Sequence, residues 1–178
     1  NLIARRTPEF VVGAANTEDV AHAVRYARQR GLAVSVIGGR HGAASISTGL
    51  TITTQRMDEV RIDPEQRTAT FGAGVVWKPV VEAASAHGLL PIAGSLSEVG
   101  AIGYLLGGGI SPLGRSHGYS SDYVESFTVV TGTGETVKAS QHANPDLFWA
   151  LRGGKTGLGI VTEVTMRLVE LPMIYGGS

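Results

Sequence analysis

The sequence predicts an α+β fold in two parts: a small α/β unit over residues 1–55 and a larger antiparallel sheet with helices over residues 56–172. Three observations carry this reading. Apolar residues follow a strand–helix–strand order between Phe10 and Ile37. From Val60 onward, short alternating runs separated by turn residues replace that order. Two glycine clusters, Gly38-Gly39-Arg40-His41-Gly42 and Gly103 through Gly109, fall where the chain changes direction. The boundary between the two parts is placed near residues 54–58.

The elements follow in order. Asn16 or Thr17 caps a helix whose first turn carries Glu18 and Asp19, acids that suit the positive end of the helix dipole. Val20, Ala23, Val24 and Ala27 recur at helical spacing until Gly31 ends the segment. Leu32 to Ile37 reads as a buried strand running straight into the first glycine cluster. Val60-Arg61-Ile62 and Thr68 to Phe71 alternate around the turn Asp63-Pro64-Glu65-Gln66, a hairpin pattern. Val76 to His87 is helical, with Val80, Val81, Ala84 and His87 on one face, and Val99 to Leu106 forms a short helix after Ser95-Leu96-Ser97. Phe127 to Thr131 pairs with Thr136 to Ala139 across Gly132-Thr133-Gly134. Asn144-Pro145-Asp146 opens a helix through Leu151, and Ile160 to Leu168 is the last strand.

Composition narrows the function. With 43% apolar residues over 178 positions the chain buries a real core. Its 15 basic and 15 acidic residues cancel, and no basic stripe with interleaved aromatics is present, so neither nucleic acid nor an anionic membrane is an expected partner. Apolar stretches reach only about five residues, too short to span a bilayer. The absence of cysteine removes disulfides, thiolate metal sites and cysteinyl cofactor links, and is compatible with a cytoplasmic location. His22 and His142 lack acidic or cysteine partners at ligand spacing, so no metal site is expected. Glycine lets backbone N–H groups approach a ligand with no Cβ in the way, and curled N–H groups bind anions. Two such cradles point to a ligand with a pyrophosphate and a long rigid body, a dinucleotide. Gly153-Gly154-Lys155-Thr156 is no P-loop, because Trp149 stands where the first glycine belongs and a helix precedes the segment.

Several segments resemble, in order, the FAD-binding (PCMH-type) domain of the vanillyl-alcohol oxidase superfamily, in its berberine-bridge-enzyme-like branch of FAD-linked oxidases. Val36-Ile37-Gly38-Gly39-Arg40-His41 is similar to V-R-G-G-G-H, and Phe71-Gly72-Ala73-Gly74 with Trp77 to G-x-G-x-x-W. Val99-Gly100 through Gly109 resembles V-G-x-x-G-y-x-x-G-G-G, and Gly118 to Val124 resembles G-L-x-x-D-n-V. Asn144 to Gly154 resembles N-x-D-L-F-W-A-l-R-G-G, followed by Gly159-Ile160-Val161-Thr162 for F-G-v-V-T.

The resemblance implies a two-subdomain fold with FAD extended between the parts. It assigns Ile37, Gly38, Gly39, Arg40, His41, Gly42 and Ser45 to the loop around the pyrophosphate. Ser95, Val99, Gly100, Gly103, Gly107 and Gly108 are assigned to the segment along the flavin and ribityl chain, with Asp122 as a further cofactor residue or as a cap. Gly159, Ile160 and Val161 are assigned to the adenine side. His41 occupies the family's position for a bond to the flavin 8α-methyl; the plainer reading is a loop histidine bonded to nearby backbone. Leu96 stands where the family's second, cysteinyl link would be, which excludes a doubly attached flavin.

The chain also departs from the pattern. Arg40 replaces a glycine and either pairs with phosphate or faces solvent. Ile37 replaces a common arginine, Thr53 a frequent aspartate, and the loop from Gly42 to Leu50 is shorter. Gly153 to Gly159 replaces a pattern nearer G-G-G-G-N-F-G. His87, Trp77, Phe148 and Trp149 read as structural, and His117 either approaches the flavin edge or is structural.

The activity implied is that of a flavin-dependent oxidoreductase taking hydride from a C–H bond next to oxygen or nitrogen, with dioxygen or another acceptor receiving the electrons. The alternative is a flavin-binding module without turnover of its own. Residues 173–178 are read as the start of a further domain that would bind the small-molecule substrate; no catalytic acid or base is identifiable. The apolar face left by that domain is expected to favour self-association.

Overall fold

The computed structural model describes residues 7–38 and 48–171. Strand β1 (Phe10–Gly13), helix α1 (Thr17–Gln29), β2 (Val34–Ile37) and β3 (Leu50–Thr53) build a three-stranded sheet of order β1-β3-β2, parallel throughout. Asn16 is the cap of α1: its side chain accepts the Asp19 N–H at 2.9 Å, while Asp19 accepts the Ala15 N–H at 2.8 Å. The first bond satisfies one of the helix's free donors, and the second fixes the chain just before the cap. Val20, Ala21, Ala23, Val24 and Ala27 bury one face against Leu50, Ile52 and Val130.

The second sheet joins β4 (Val60–Asp63), β5 (Thr68–Gly72), β7 (Val124–Val130), β8 (Thr136–Ser140) and β9 (Ile160–Arg167) in the order β4-β5-β9-β7-β8, with every pair antiparallel. Helix α2 (Trp77–Ser85), the short helices α3 (Ala101–Leu105) and α4 (Gly114–His117), and α5 (Pro145–Leu151) accompany it. A two-residue strand β6 (Leu89–Leu90) pairs with β10 (Val169–Glu170). The core centres on Phe71, Trp77, Val80, Leu105, Phe127 and Met166. Trp77 packs edge-on against both Phe71 and Tyr104, with ring centroids 6.0 and 5.7 Å away. Among the described residues no helix is long and apolar enough to cross a membrane.

Three expectations are corrected. The strand read from Leu32 begins at Val34, and it is not buried on both faces: Val34 and Val36 are 39% and 42% exposed. Helix α2 ends at Ser85, so His87 lies beyond it and is exposed rather than sharing the apolar face. Trp149 is 75% exposed, not core, because α5 turns Phe148 and Leu151 inward and leaves Trp149 on the outer side.

Candidate functional site

The two sheets meet where β2 ends and β9 begins. The Thr54 N–H donates to the Ile37 carbonyl at 3.0 Å, and the Thr54 hydroxyl donates to the Ala73 carbonyl at 2.9 Å, joining the end of β2 to the end of β5. Thr17 and Thr162 link α1 to β9 through their hydroxyls at 3.0 Å. Above this junction opens a cleft of about 1190 Å³. Its walls are the outer face of β2, the segment from Val99 to Ile110, the turn Val130-Thr131-Gly132, and the run from Lys155 to Val161.

Of the residues named from the sequence, Ile37, Gly38, Val99, Gly100, Gly103, Gly107, Gly159, Ile160 and Val161 line this cleft. Ser95 is exposed and outside the lining. Gly108 is also outside it: its N–H donates to the Leu105 carbonyl and its carbonyl accepts the Ser121 N–H, both at 2.9 Å. Gly107 likewise donates to Tyr104, at 3.1 Å. These two N–H groups close the end of α3 instead of forming the anion cradle expected of the second glycine cluster. Asp122 accepts the Tyr119 N–H at 3.0 Å and faces a separate hollow of about 510 Å³ beside Trp149 and Arg152. His117 does not line the cleft; its Nδ1 lies 2.8 Å from the Ser116 hydroxyl. Gly39, Arg40, His41, Gly42 and Ser45 lie outside the described residues.

Other lining residues went unmarked in the sequence, among them Arg28, Val34, Val36, Thr54, Ala73 and Tyr104. One signal was there to read. In Val34-Ser35-Val36 it is Ser35 that is buried, bonded to Thr51 at 2.9 Å, while the valines face the cleft. An apolar strand face left open to one side marks a surface that a ligand covers.

Tyr104 is held between Gly94 and Gly109, where an added Cβ would collide with its ring. Its hydroxyl is buried without an aligned hydrogen-bond partner. Burial pushes the phenol above its ordinary pKa, and the neighbouring Ser120 hydroxyl offsets this only in part. Because the folded chain holds this proton more tightly than the unfolded one, stability is full below the unfolded pKa and falls as pH rises past it. Tyr104→Phe is therefore expected to leave stability at pH 7 unchanged or slightly higher and to flatten its decline above about pH 10. Denaturant midpoints measured from pH 8 to 11 check this.

The dimensions and chemistry of the cleft suit FAD. A Cβ at Gly38 would sit 3.1 Å from the Ala73 carbonyl oxygen, and one at Gly159 would sit 2.7 Å from the Val129 side chain. At these two places the cleft's backbone packs against the chain itself at distances that a side chain would block, whereas a Cβ at Gly103 would meet nothing within 4 Å. Gly159 also has φ +118°, a conformation reserved for glycine. The lining is mainly apolar, and among the described residues its charged groups, Arg28 and Lys155, are both cations. An apolar slot with positive charge and bare backbone at its walls defines a dinucleotide-binding domain.

The chain belongs to the FAD-binding domain family: residues 8–140 match its model, described as "FAD binding domain". It is 36% identical over 168 residues to the (R)-6-hydroxynicotine oxidase of Paenarthrobacter nicotinovorans, covering 93% of this chain and 37% of that protein. Among solved structures it superposes on the glucooligosaccharide oxidase of Acremonium strictum with a TM-score of 0.91 at 31% identity, covering 97% of this chain and 37% of the other. The berberine-bridge-enzyme-like 1 protein of Physcomitrella patens gives a TM-score of 0.86 at 30% identity, covering 96% and 38%. The α+β PCMH-type FAD-binding fold expected from the sequence is thus the fold observed, and the cofactor of the domain is FAD. The chain spans little more than a third of the length of these relatives.

Proposed function

We propose that this chain is the cofactor-holding part of an FAD-linked oxidoreductase acting on a small molecule. The reaction is removal of hydride from a C–H bond next to oxygen or nitrogen, with the electrons passing to dioxygen or another acceptor. The cleft is the observation that carries this reading, since its shape and glycine-lined walls serve a flat, extended cofactor. When bound, FAD supplies the hydride acceptor, which no amino-acid side chain provides. The residues of the chain do the holding: Val34 and Val36 exclude water along one wall, and Gly103, where an added Cβ would meet no protein atom within 4 Å, leaves its stretch of wall bare. Trp77 and Tyr104 keep the segment from Val99 to Gly109 in place.

The names of the relatives, oxidases of a hydroxynicotine and of an oligosaccharide, support small donors with C–H next to nitrogen or oxygen. Among the described residues of the lining there is neither carboxylate nor imidazole, and the role of proton acceptor is assigned to none of them. The second reading is a flavin-holding module without turnover of its own. His41 is the proposed point of covalent attachment. A solved form of the Acremonium strictum oxidase is described as carrying a 6-S-cysteinyl, 8α-N1-histidyl FAD.

Anaerobic addition of simple alcohols, reducing sugars and secondary amines to the flavin-loaded protein separates the two readings. Bleaching of the flavin absorbance by at least one class is expected. Reduction by dithionite but by none of the donors would favour the module. Intact mass after denaturation should retain FAD in the native protein and lose it in His41→Ala; a native protein without the added mass would remove the covalent link.

A further inference from the structure

The run from Gly153 to Gly159 contains a feature that holding a flavin does not by itself require. Lys155 has a left-handed backbone, φ +62°, between glycines at 153, 154 and 157. A side chain in that conformation is strained, and such strain persists where the surroundings fix it, most often at ligand sites. Here the fixing contact is the Lys155 N–H donating to the Leu106 carbonyl at 3.0 Å, which ties the loop across the end of α3. The strain places a cation on the cleft wall. Lys155 lines the cleft, and its stem passes beside Gly107: its Cδ lies 4.0 Å from where a Cβ on that glycine would stand, an ordinary packing distance.

The cleft's charges are lopsided. Arg28 and Lys155 line it, and no carboxylate is among the described residues that do. Arg28 has a second explanation, since it lies in the last turn of α1, where a cation complements the helix dipole. Lys155 has no such role, and the ion pairs of the described residues involve Arg25, Arg61, Arg67 and His22 instead. On FAD, the full negative charge is carried by the diphosphate, whereas the oxidised flavin ring is neutral. A lysine ammonium, a compact charge on a flexible stem, suits phosphate oxygens.

We propose that Lys155 is a diphosphate-pairing side chain of the cleft, so that the site distinguishes FAD from flavins lacking phosphate. The inference rests on the FAD reading of the cleft. Its test uses His41→Ala protein, in which no covalent tether obscures the equilibrium, titrated with FAD and with riboflavin by flavin fluorescence. Adding Lys155→Gln is expected to weaken FAD about tenfold and to leave riboflavin within about twofold, the size of one charge-assisted contact. The FAD affinity should also become less sensitive to salt. Lys155→Gly should lose the same FAD affinity while the flavin-free protein melts at an equal or higher temperature, because glycine removes the backbone strain.

Unchanged FAD affinity in either variant would overturn the inference while leaving the cofactor reading intact. Equal losses for FAD and riboflavin, or a lower melting temperature for Lys155→Gly, would show a structural role and overturn it too. A His41→Ala parent that binds neither flavin would overturn the cofactor reading itself and this inference with it.

Discussion

Gly159→Ala is expected to destabilise the chain by about 2–4 kcal/mol and to abolish saturable FAD binding, because two penalties coincide at one position. The first is backbone strain at φ +118°. The second is steric: the new Cβ would lie 2.7 Å from Val129 Cγ1 and 2.9 Å from the Val130 carbonyl oxygen. Val129 is fully buried on β7, an inner strand paired on both sides, and a backbone carbonyl in a ladder has no freedom to retreat. Relief would require the start of β9 to move, and Ile160 and Val161 would move with it. Gly132→Ala is the matched control. Gly132 also lines the cleft, but a Cβ there meets nothing within 4 Å, so a change within about 0.5 kcal/mol is expected. Urea midpoints and FAD titrations of both variants make the comparison. Similar losses in the two would show that the collision at Gly159 is not what matters.

Trp77→Ala carries the largest expected stability effect, a loss of about 3–5 kcal/mol. The side chain is 1% exposed and lies between Phe71 on β5 and Tyr104 on α3. Its backbone N–H donates to the Val99 carbonyl at 3.1 Å, and the Ala101 N–H returns to Val75 at 2.9 Å. Removing the indole therefore opens a cavity beneath the segment that walls the cleft, and FAD affinity should fall along with the thermal midpoint. Trp77→Phe keeps an aromatic ring and discards part of the indole together with an N–H that is already buried without a partner, so it leaves a smaller cavity and should recover part of the loss. Calorimetric midpoints of the three proteins measure the series; a Trp77→Phe protein as unstable as Trp77→Ala would show that the indole is held by more than packing.

The elements with strong local signals were legible. The cap at Asn16, the helical spacing of Val20 to Ala27, and the hairpins around Asp63 to Gln66 and Gly132 to Gly134 are each settled within a few residues of chain. Strand β3 was not. Leu50 to Thr53 is four residues long, and its place between β1 and β2 is fixed by parallel partners distant in sequence. The same limit applies to the site. Glycines at 38, 100, 103 and 159 stand out as a pattern, but the closure of the Gly107 and Gly108 N–H groups onto α3 depends on where that helix ends. Tyr104 resembles any core tyrosine until its ring is seen between Gly94 and Gly109. Lys155 stood out only as part of a false P-loop; its place on the cleft wall comes from a left-handed turn that spacing does not reveal.

A crystal structure of the FAD-loaded protein is the most direct test of where the cofactor lies. The account predicts continuous density against the outward faces of Val34 and Val36, past Gly38, and along Val99 to Gly103, with the diphosphate within reach of Lys155. Density for FAD on another face of the molecule, with solvent filling the space between β2 and the start of β9, would contradict it.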